Sequence, residues 1–253
     1  MRTLLIIDPQ NDFVDPRGSL YVKDSEKAVA NIVKLLSERG NEIDCVCVSK
    51  DSHHRLNIGF KEFWENAPEE FQKITARDLM SGKYVPKYFK DSEHIQMMVK
   101  HLDDTGQDIT IWPTHCIEDT WGCDIADELR VALSKWEMCS QSTYKTITKG
   151  RHPFYEAYSI MDADNFYSFE QKLLVDELIV CGFCTDVCVR YSLIDLLADI
   201  RDDVLRDRRS IAPKITFLPG CSCAIGDNDE ASKYLFEKIS QYDDVVRKHL
   251  ESA

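Results

Sequence analysis

The stretch Glu177–Asp195, ELIVCGFCTDVCVRYSLID, reads as a strand, a tight turn and a helix. Leu178–Cys181 is an apolar run of strand length and strand chemistry, and Gly182 interrupts it. Thr185 and Asp186 are residue types that cap helix N-termini. From Val187 the apolar residues recur at helical spacing, at Val187, Tyr191, Ile194, Leu197 and Ala198. Cys188 thus stands in or beside the first helical turn. Unpaired N–H groups and the positive end of the helix dipole favour a thiolate there, and the thiolate is the nucleophilic form of cysteine. The plainer reading is a small buried hydrophobe.

Outward from this unit, strands and helices alternate. Thr3–Ile7 is an apolar strand ending at Asp8, followed by the polar turn PQNDF. Asp24 or Ser25 caps a helix that runs to Arg39 and stops at Gly40. Asp44–Ser49 is a second strand, with Asp51 just beyond it and His53 and His54 in the loop. Residues 56–90 are rich in aromatics and broken by Pro68 and Pro86. They read as a long excursion with short helices that either covers a site or elaborates the surface. A helix from Asp91 or Ser92 to about Asp104 leads to a third strand, Asp108–Trp112, and then to His115. A helix over Cys123–Trp136, a strand over Ser142–Thr148 before Lys149, and a helix near 168–175 precede the opening unit. A strand at Ile215–Leu218 and a helix from Asn228 or Asp229 close the chain.

This alternation predicts an α/β fold: three α/β/α layers around a central parallel sheet, doubly wound. The reading is one domain over 1–253 with an insertion at about 56–107. Ligands of such sheets bind beyond the carboxyl ends of the strands. Asp8, Asp51, His115, Lys149 and the turn to Cys188 each come just after an expected strand, so they should gather at one edge.

Composition narrows the partners. The net charge of −13 argues against nucleic acid or an anionic membrane surface. No apolar run approaches a membrane span, and Leu4–Ile7 is too short for a signal-peptide core. The expectation is a cytoplasmic protein. Ten cysteines in a chain of 253 residues are not a small secreted disulfide scaffold. Cys45, Cys47, Cys139 and Cys181 are expected to be buried free thiols, and Cys221 and Cys223 receive no role.

Two constellations carry chemistry. In the first, Asp8 takes the proton of Cys188 while Lys149 holds Asp8 ionised and favours the thiolate. A turn-capping aspartate and a solvated lysine are the bland alternatives. In the second, Asp51, His53 and His115 offer carboxylate and imidazole ligands for a divalent transition metal with open positions. Ordinary loop histidines are the alternative there.

These residues in this order resemble the isochorismatase-like cysteine hydrolases, and within them the nicotinamidase-like subgroup. IIDPQNDF is similar to the family's first strand, with Asp8 as its acid–base. SKDSH matches the first metal segment, IWPTHC the third ligand, and TKGRHPFYEAYS with CGFCTDVCVR the lysine and nucleophile segments. The resemblance spans nearly the whole chain. It implies a catalytic set of Asp8, Lys149 and Cys188, and an oxyanion hole from the backbone N–H groups of Cys184 and Cys188. It also implies a cis peptide between Phe183 and Cys184, and a flat ring held by Phe13, Trp112 and Tyr158. The cofactor implied is one divalent metal, zinc first, with manganese or iron as alternatives. The chain departs from the pattern at HRLNIGFKEFW, which lacks the usual proline, and at Cys184, where alanine is frequent.

The activity implied is hydrolysis of nicotinamide to nicotinic acid and ammonia through a thioester. A different small carboxamide hydrolysed by the same three residues is the nearest alternative. A non-catalytic binding protein of this fold is an alternative of another class, and a redox role for Cys184 and Cys188 is weaker because their spacing is not CxxC. The partner expected is a small amide, with self-association left open.

Overall fold

The computed structural model describes residues 1–66, 68–89, 91–163, 175–206 and 212–252. Strand β1 (Arg2–Ile7) is followed by helices α1 (Asn11–Val14) and α2 (Ser25–Arg39) and strand β2 (Cys45–Asp51). Strand β3 (Lys73–Ile74), helices α3 (Ala76–Met80) and α4 (Ser92–Thr105), and strand β4 (Ile109–Thr110) form the excursion. Helix α5 (Asp127–Ser140), strands β5 (Lys145–Lys149) and β6 (Glu177–Phe183), helix α6 (Cys188–Leu205), strand β7 (Lys214–Cys223) and helix α7 (Asn228–Ser252) complete it.

The central sheet has five parallel strands in the order β5-β2-β1-β6-β7. β1 reads TLLII without a polar break because both its faces are covered. Leu4 and Ile6 pack with Val46 and Val48 of β2 against Val29 and Ile32 of α2 and Leu129, Leu133 and Trp136 of α5. Leu5 and Ile7 point the other way, with Cys47, Leu178 and Val180, against Val189, Leu193 and Leu196 of α6 and Leu235 and Ile239 of α7. One strand with alternate residues in two cores is the signature of three α/β/α layers. β1 is flanked by β2 on one side and β6 on the other, so winding reverses there. A ligand crevice belongs at the carboxyl ends of β1 and β6.

Several boundaries differ from the sequence reading. The expected third strand does not join the central sheet. β4 pairs antiparallel with β3, Lys73 opposite Thr110, in a separate two-stranded sheet. Its apolar residues serve a third core of Ile58, Phe63, Trp64, Ile74, Met98, Leu102, Ile109 and Ile111, so excursion contacts override the strand's own propensity. Helix α5 starts four residues later than expected, because Trp121–Cys123 coils as a 3₁₀ turn and Gly122 packs on Asp12. β7 runs on to Cys223, past Pro219. It is an edge strand, where a missing N–H is tolerated, and its register shifts against β6 between Val180 and Gly182. Neither Thr185 nor Asp186 caps α6: the N-cap is Val187, with no side-chain cap. Asp186 instead accepts hydrogen bonds from the N–H groups of Ile225 (3.0 Å) and Gly226 (2.8 Å). Cys139 is exposed, since its place on α5 turns it away from the core; all ten cysteines are free thiols. The helix expected near 168–175 lies almost wholly outside the described residues. Among the described residues no helix is long and apolar enough to cross a membrane.

Candidate active site

The strand order sets the site. Lys149 ends β5, Asp51 ends β2, Asp8 comes directly after β1, and the Phe183–Cys184 peptide, which is cis, lies at the end of β6. Register pairs Asp51 with Lys149 and Ile7 with Gly182, so these ends lie side by side. Asp8 adopts φ 46°, a left-handed conformation that aspartate tolerates better than most residues. Gly182 lets β6 approach β1: a Cβ there would stand 2.1 Å from the Ile7 carbonyl oxygen.

Lys149 is fully buried and bridges three groups. Its Nζ lies 2.9 Å from Asp8 Oδ2 and 3.2 Å from Asp51 Oδ1, and donates to Cys188 Sγ at 3.4 Å. Ser49 donates to Asp8 Oδ1 (2.6 Å), and the Asp8 N–H donates to Ser49 Oγ (3.0 Å). Burial lowers the lysine pKa, but Asp51, Asp8 and Cys188 raise it further, so Lys149 is a firmly held cation. Burial pushes Asp8 up; Lys149 pulls it back and Asp51 adds to the rise, for a net upward shift. Cys188 opens α6 at the dipole's positive end, yet burial pushes its thiol well up and outweighs the pull of Lys149. The resting group is thus the thiol, which needs Asp8 to take its proton.

Asp51, His53 and His115 bring one ligand atom each within 4.8 Å of one another, and all three side chains are buried. His53 Nε2 lies 3.0 Å and His115 Nε2 3.4 Å from Asp51 Oδ2. His53 Nδ1 faces the Gly150 carbonyl at 2.8 Å, and His115 Nδ1 the Pro113 carbonyl at 2.7 Å. A carbonyl only accepts, so the shorter contact on each ring favours a proton on Nδ1, even though Asn57 Nδ2 also lies 3.1 Å from His53 Nδ1. Each Nε2 then turns a bare lone pair towards a carboxylate oxygen. Such an arrangement is repulsive until a cation lies between the groups. Without one a proton takes that place: burial lowers the His53 pKa, but Asp51 raises it more. Carbonyl-oriented imidazoles with a carboxylate are a donor set for a divalent transition metal, and the residues present fit one. Gln10 supports the set, donating to the Asp51 carbonyl (2.5 Å) and accepting from the Asp51 N–H (2.7 Å).

A narrow cavity joins the two constellations. Phe13, Leu20, Asp51, Trp112, His115, Glu156, Tyr158, Cys184, Val187, Cys188 and Ile225 line it. Phe13 stacks obliquely on His115, and the Trp112 indole N–H donates to the Tyr158 hydroxyl (3.3 Å). A roomier, mostly apolar groove between α2 and α5 shares none of these residues. Every site residue expected from the sequence thus falls at this one sheet edge. Ser49, Gln10, Phe60 and Glu156 were not foreseen. Ser49 had a signal, two residues before Asp51 and so on its strand face; the others depend on how loops return to the site.

Comparison with known proteins places the chain in a family. An isochorismatase domain family model matches residues 2–199. The nicotinamidase of Saccharomyces cerevisiae is 26% identical over 204 residues, covering 77% of this chain and 80% of that protein. The crystal structure of yeast nicotinamidase bound to the inhibitor nicotinaldehyde superposes with a TM-score of 0.68 at 22% identity, covering 96% of this chain and 97% of that one. The pyrazinamidase of Pyrococcus horikoshii in complex with zinc gives 0.57 at 17% identity, covering 95% of each chain. With its family model spanning most of its length and its sheet edge built as described, the chain belongs to the isochorismatase family.

Proposed function

We propose that this chain is a metal-dependent cysteine amidohydrolase that converts nicotinamide and water to nicotinic acid and ammonia. The observation that carries the reading is the shared contact of Lys149 with Asp8 and Cys188 beside a cavity lined by Cys188 together with Asp51 and His115 of the metal-ligand set. The nicotinamidase relatives support nicotinamide as the amide.

Cys188 attacks the carboxamide carbon as its thiol proton passes to Asp8. A raised pKa makes Asp8 a stronger base for that transfer. The C–S bond forms and the carbonyl π pair moves to oxygen. That oxygen is held by the backbone N–H groups of Cys184 and Cys188, where one donor is worth about 3 kcal/mol. Cys188 is the first residue of α6, so its N–H has no partner within the helix. The oxyanion collapses, the C–N bond breaks, and Asp8 returns the proton to the leaving nitrogen as ammonia departs. Water then adds to the thioester carbon and gives a proton to Asp8. The C–S bond breaks, and Asp8 reprotonates the sulfur. Lys149 stays cationic throughout and offsets the charge on Asp8.

Phe13, Trp112 and Tyr158 form the walls for a flat ring. A divalent ion at Asp51, His53 and His115 would supply a Lewis-acid centre that orients the ring; zinc is our choice, as the Pyrococcus horikoshii protein is in complex with it. Ten free thiols suit a reducing, cytoplasmic setting. The test is ammonia release from nicotinamide by wild type and Cys188→Ala, before and after chelation. Release that needs both cysteine and metal supports the reading. Absence of release from metal-loaded wild type rejects nicotinamide and moves the assay to other small carboxamides.

A further inference from the structure

Glu156 has no part in that mechanism, yet it lines the same cavity as Asp51, His115 and Cys188. Its Oε1 is buried and has no hydrogen-bond partner. The space it occupies is left by a glycine: a Cβ on Gly59 would stand 2.0 Å from Oε1. The Gly59 N–H donates to Asn57 Oδ1 (2.8 Å), and Asn57 Nδ2 lies 3.1 Å from His53 Nδ1, so this cradle is tied to the metal-ligand set. A buried carboxylate oxygen with no partner is costly unless a cation or a proton compensates it. The buried charges say which cation. Lys149 contacts both Asp8 and Asp51, so one positive charge faces two negative ones. A dication at Asp51, His53 and His115 would leave the site with one net positive charge. Glu156 brings it to neutrality.

We propose that Glu156 is the second anionic group of the metal centre, a positioning residue that compensates the dication together with Asp51 and keeps its affinity high. A neutral cavity also suits a neutral amide and disfavours the carboxylate formed from it. Glu156 thereby helps the product leave. The inference rests on the metal-dependent reading above.

The test compares metal-free wild type, Glu156→Gln and Glu156→Asp, each titrated with Zn²⁺ against a chromophoric chelator. Gln keeps the size and removes the charge. The expected result is zinc affinity about 10- to 100-fold weaker in Glu156→Gln, with partial recovery in Glu156→Asp. The metal-free Glu156→Gln protein should melt no lower than metal-free wild type, since an uncompensated carboxylate is gone, while its gain in Tm on adding zinc should shrink. At saturating zinc, nicotinate should inhibit Glu156→Gln more tightly than wild type. Unchanged zinc affinity in Glu156→Gln overturns the proposal. If that variant does not fold, wild-type affinity paired with unchanged affinity in a folded Glu156→Ala protein overturns it equally. Wild type that binds zinc but releases no ammonia would defeat the nicotinamide reading alone, because the affinity comparison needs no turnover.

Discussion

Lys149 and Asp8 form an ion pair of 2.9 Å in which neither side chain is exposed to solvent. The pair shares its cation with Asp51, at 3.2 Å. Breaking a buried pair by removing one partner strands the other charge. Lys149→Met should therefore lower stability by about 3–5 kcal/mol, as measured by urea unfolding, whereas Cys188→Ala should hold stability closer to wild type. Cys188→Ala should still lower kcat by about 10⁴-fold or more. Equal stability of Lys149→Met and wild type would contradict the buried pair.

Asp8 must be ionised to accept the thiol proton. Burial and Asp51 raise its pKa more than Lys149 and Ser49 lower it, so a larger fraction of Asp8 is protonated at a given acidic pH than for a free aspartate. The acidic limb of the kcat/KM profile should accordingly lie above 3.8, the ordinary aspartate value. Asp8→Asn should abolish that limb and lower kcat/KM by about 10²- to 10⁴-fold. A limb at or below the ordinary value would remove Asp8 as the base.

Chelation should silence the protein, and Zn²⁺ or Mn²⁺ should restore it. His115→Ala leaves two of the three converging ligands and should reduce the bound metal per chain, read by elemental analysis after gel filtration. Full metal occupancy in that variant would place the ion elsewhere.

Gly150 adopts φ +85°, and a Cβ there would stand 2.5 Å from Asp51 Oδ1 and 2.7 Å from His53 Cε1. Gly150→Ala should cost about 1 kcal/mol or more from backbone conformation alone. It should also weaken metal binding, because its carbonyl orients His53. A variant with wild-type Tm and metal affinity would show that the loop yields freely.

Cys139 is the exposed thiol among ten, the other nine being buried. A thiol reagent on the native protein should show one fast-reacting equivalent, lost in Cys139→Ser with activity retained.

Much of the sheet edge was legible in the sequence because parallel strands announce themselves as short apolar runs, and a polar residue marks where each run stops. Asp8, Asp51 and Lys149 each terminate such a run, so chain order alone brought them together. His115 lies beside Asp51, but not by the route the strand reading implied. The strand before it is not in the central sheet; His115 reaches Asp51 because the His53 N–H donates to the Cys116 carbonyl (2.9 Å), tying the two loops. Such loop-to-loop bonds have no periodicity and leave no pattern to read. The same is true of Glu156, whose significance lies in an absent Cβ 97 positions earlier in the chain, at Gly59. Cys188 was located by helix spacing; how far burial outweighs the dipole at its thiol is decided by packing, which no spacing shows.

The excursion carries its own core, and it reaches the cavity through a short seam: the Trp112 backbone N–H donates to the Gly59 carbonyl at 2.8 Å, and Phe60 packs edge-on against both His53 and His115. The cavity walls Phe13, Trp112 and Tyr158 lie outside the excursion, so its nearest reach is to the two histidines rather than to the space between them. The excursion thereby acts as a buttress: the bulk of its core can drift in sequence, while the seam at Gly59 and Phe60 is held to the ligand set it props.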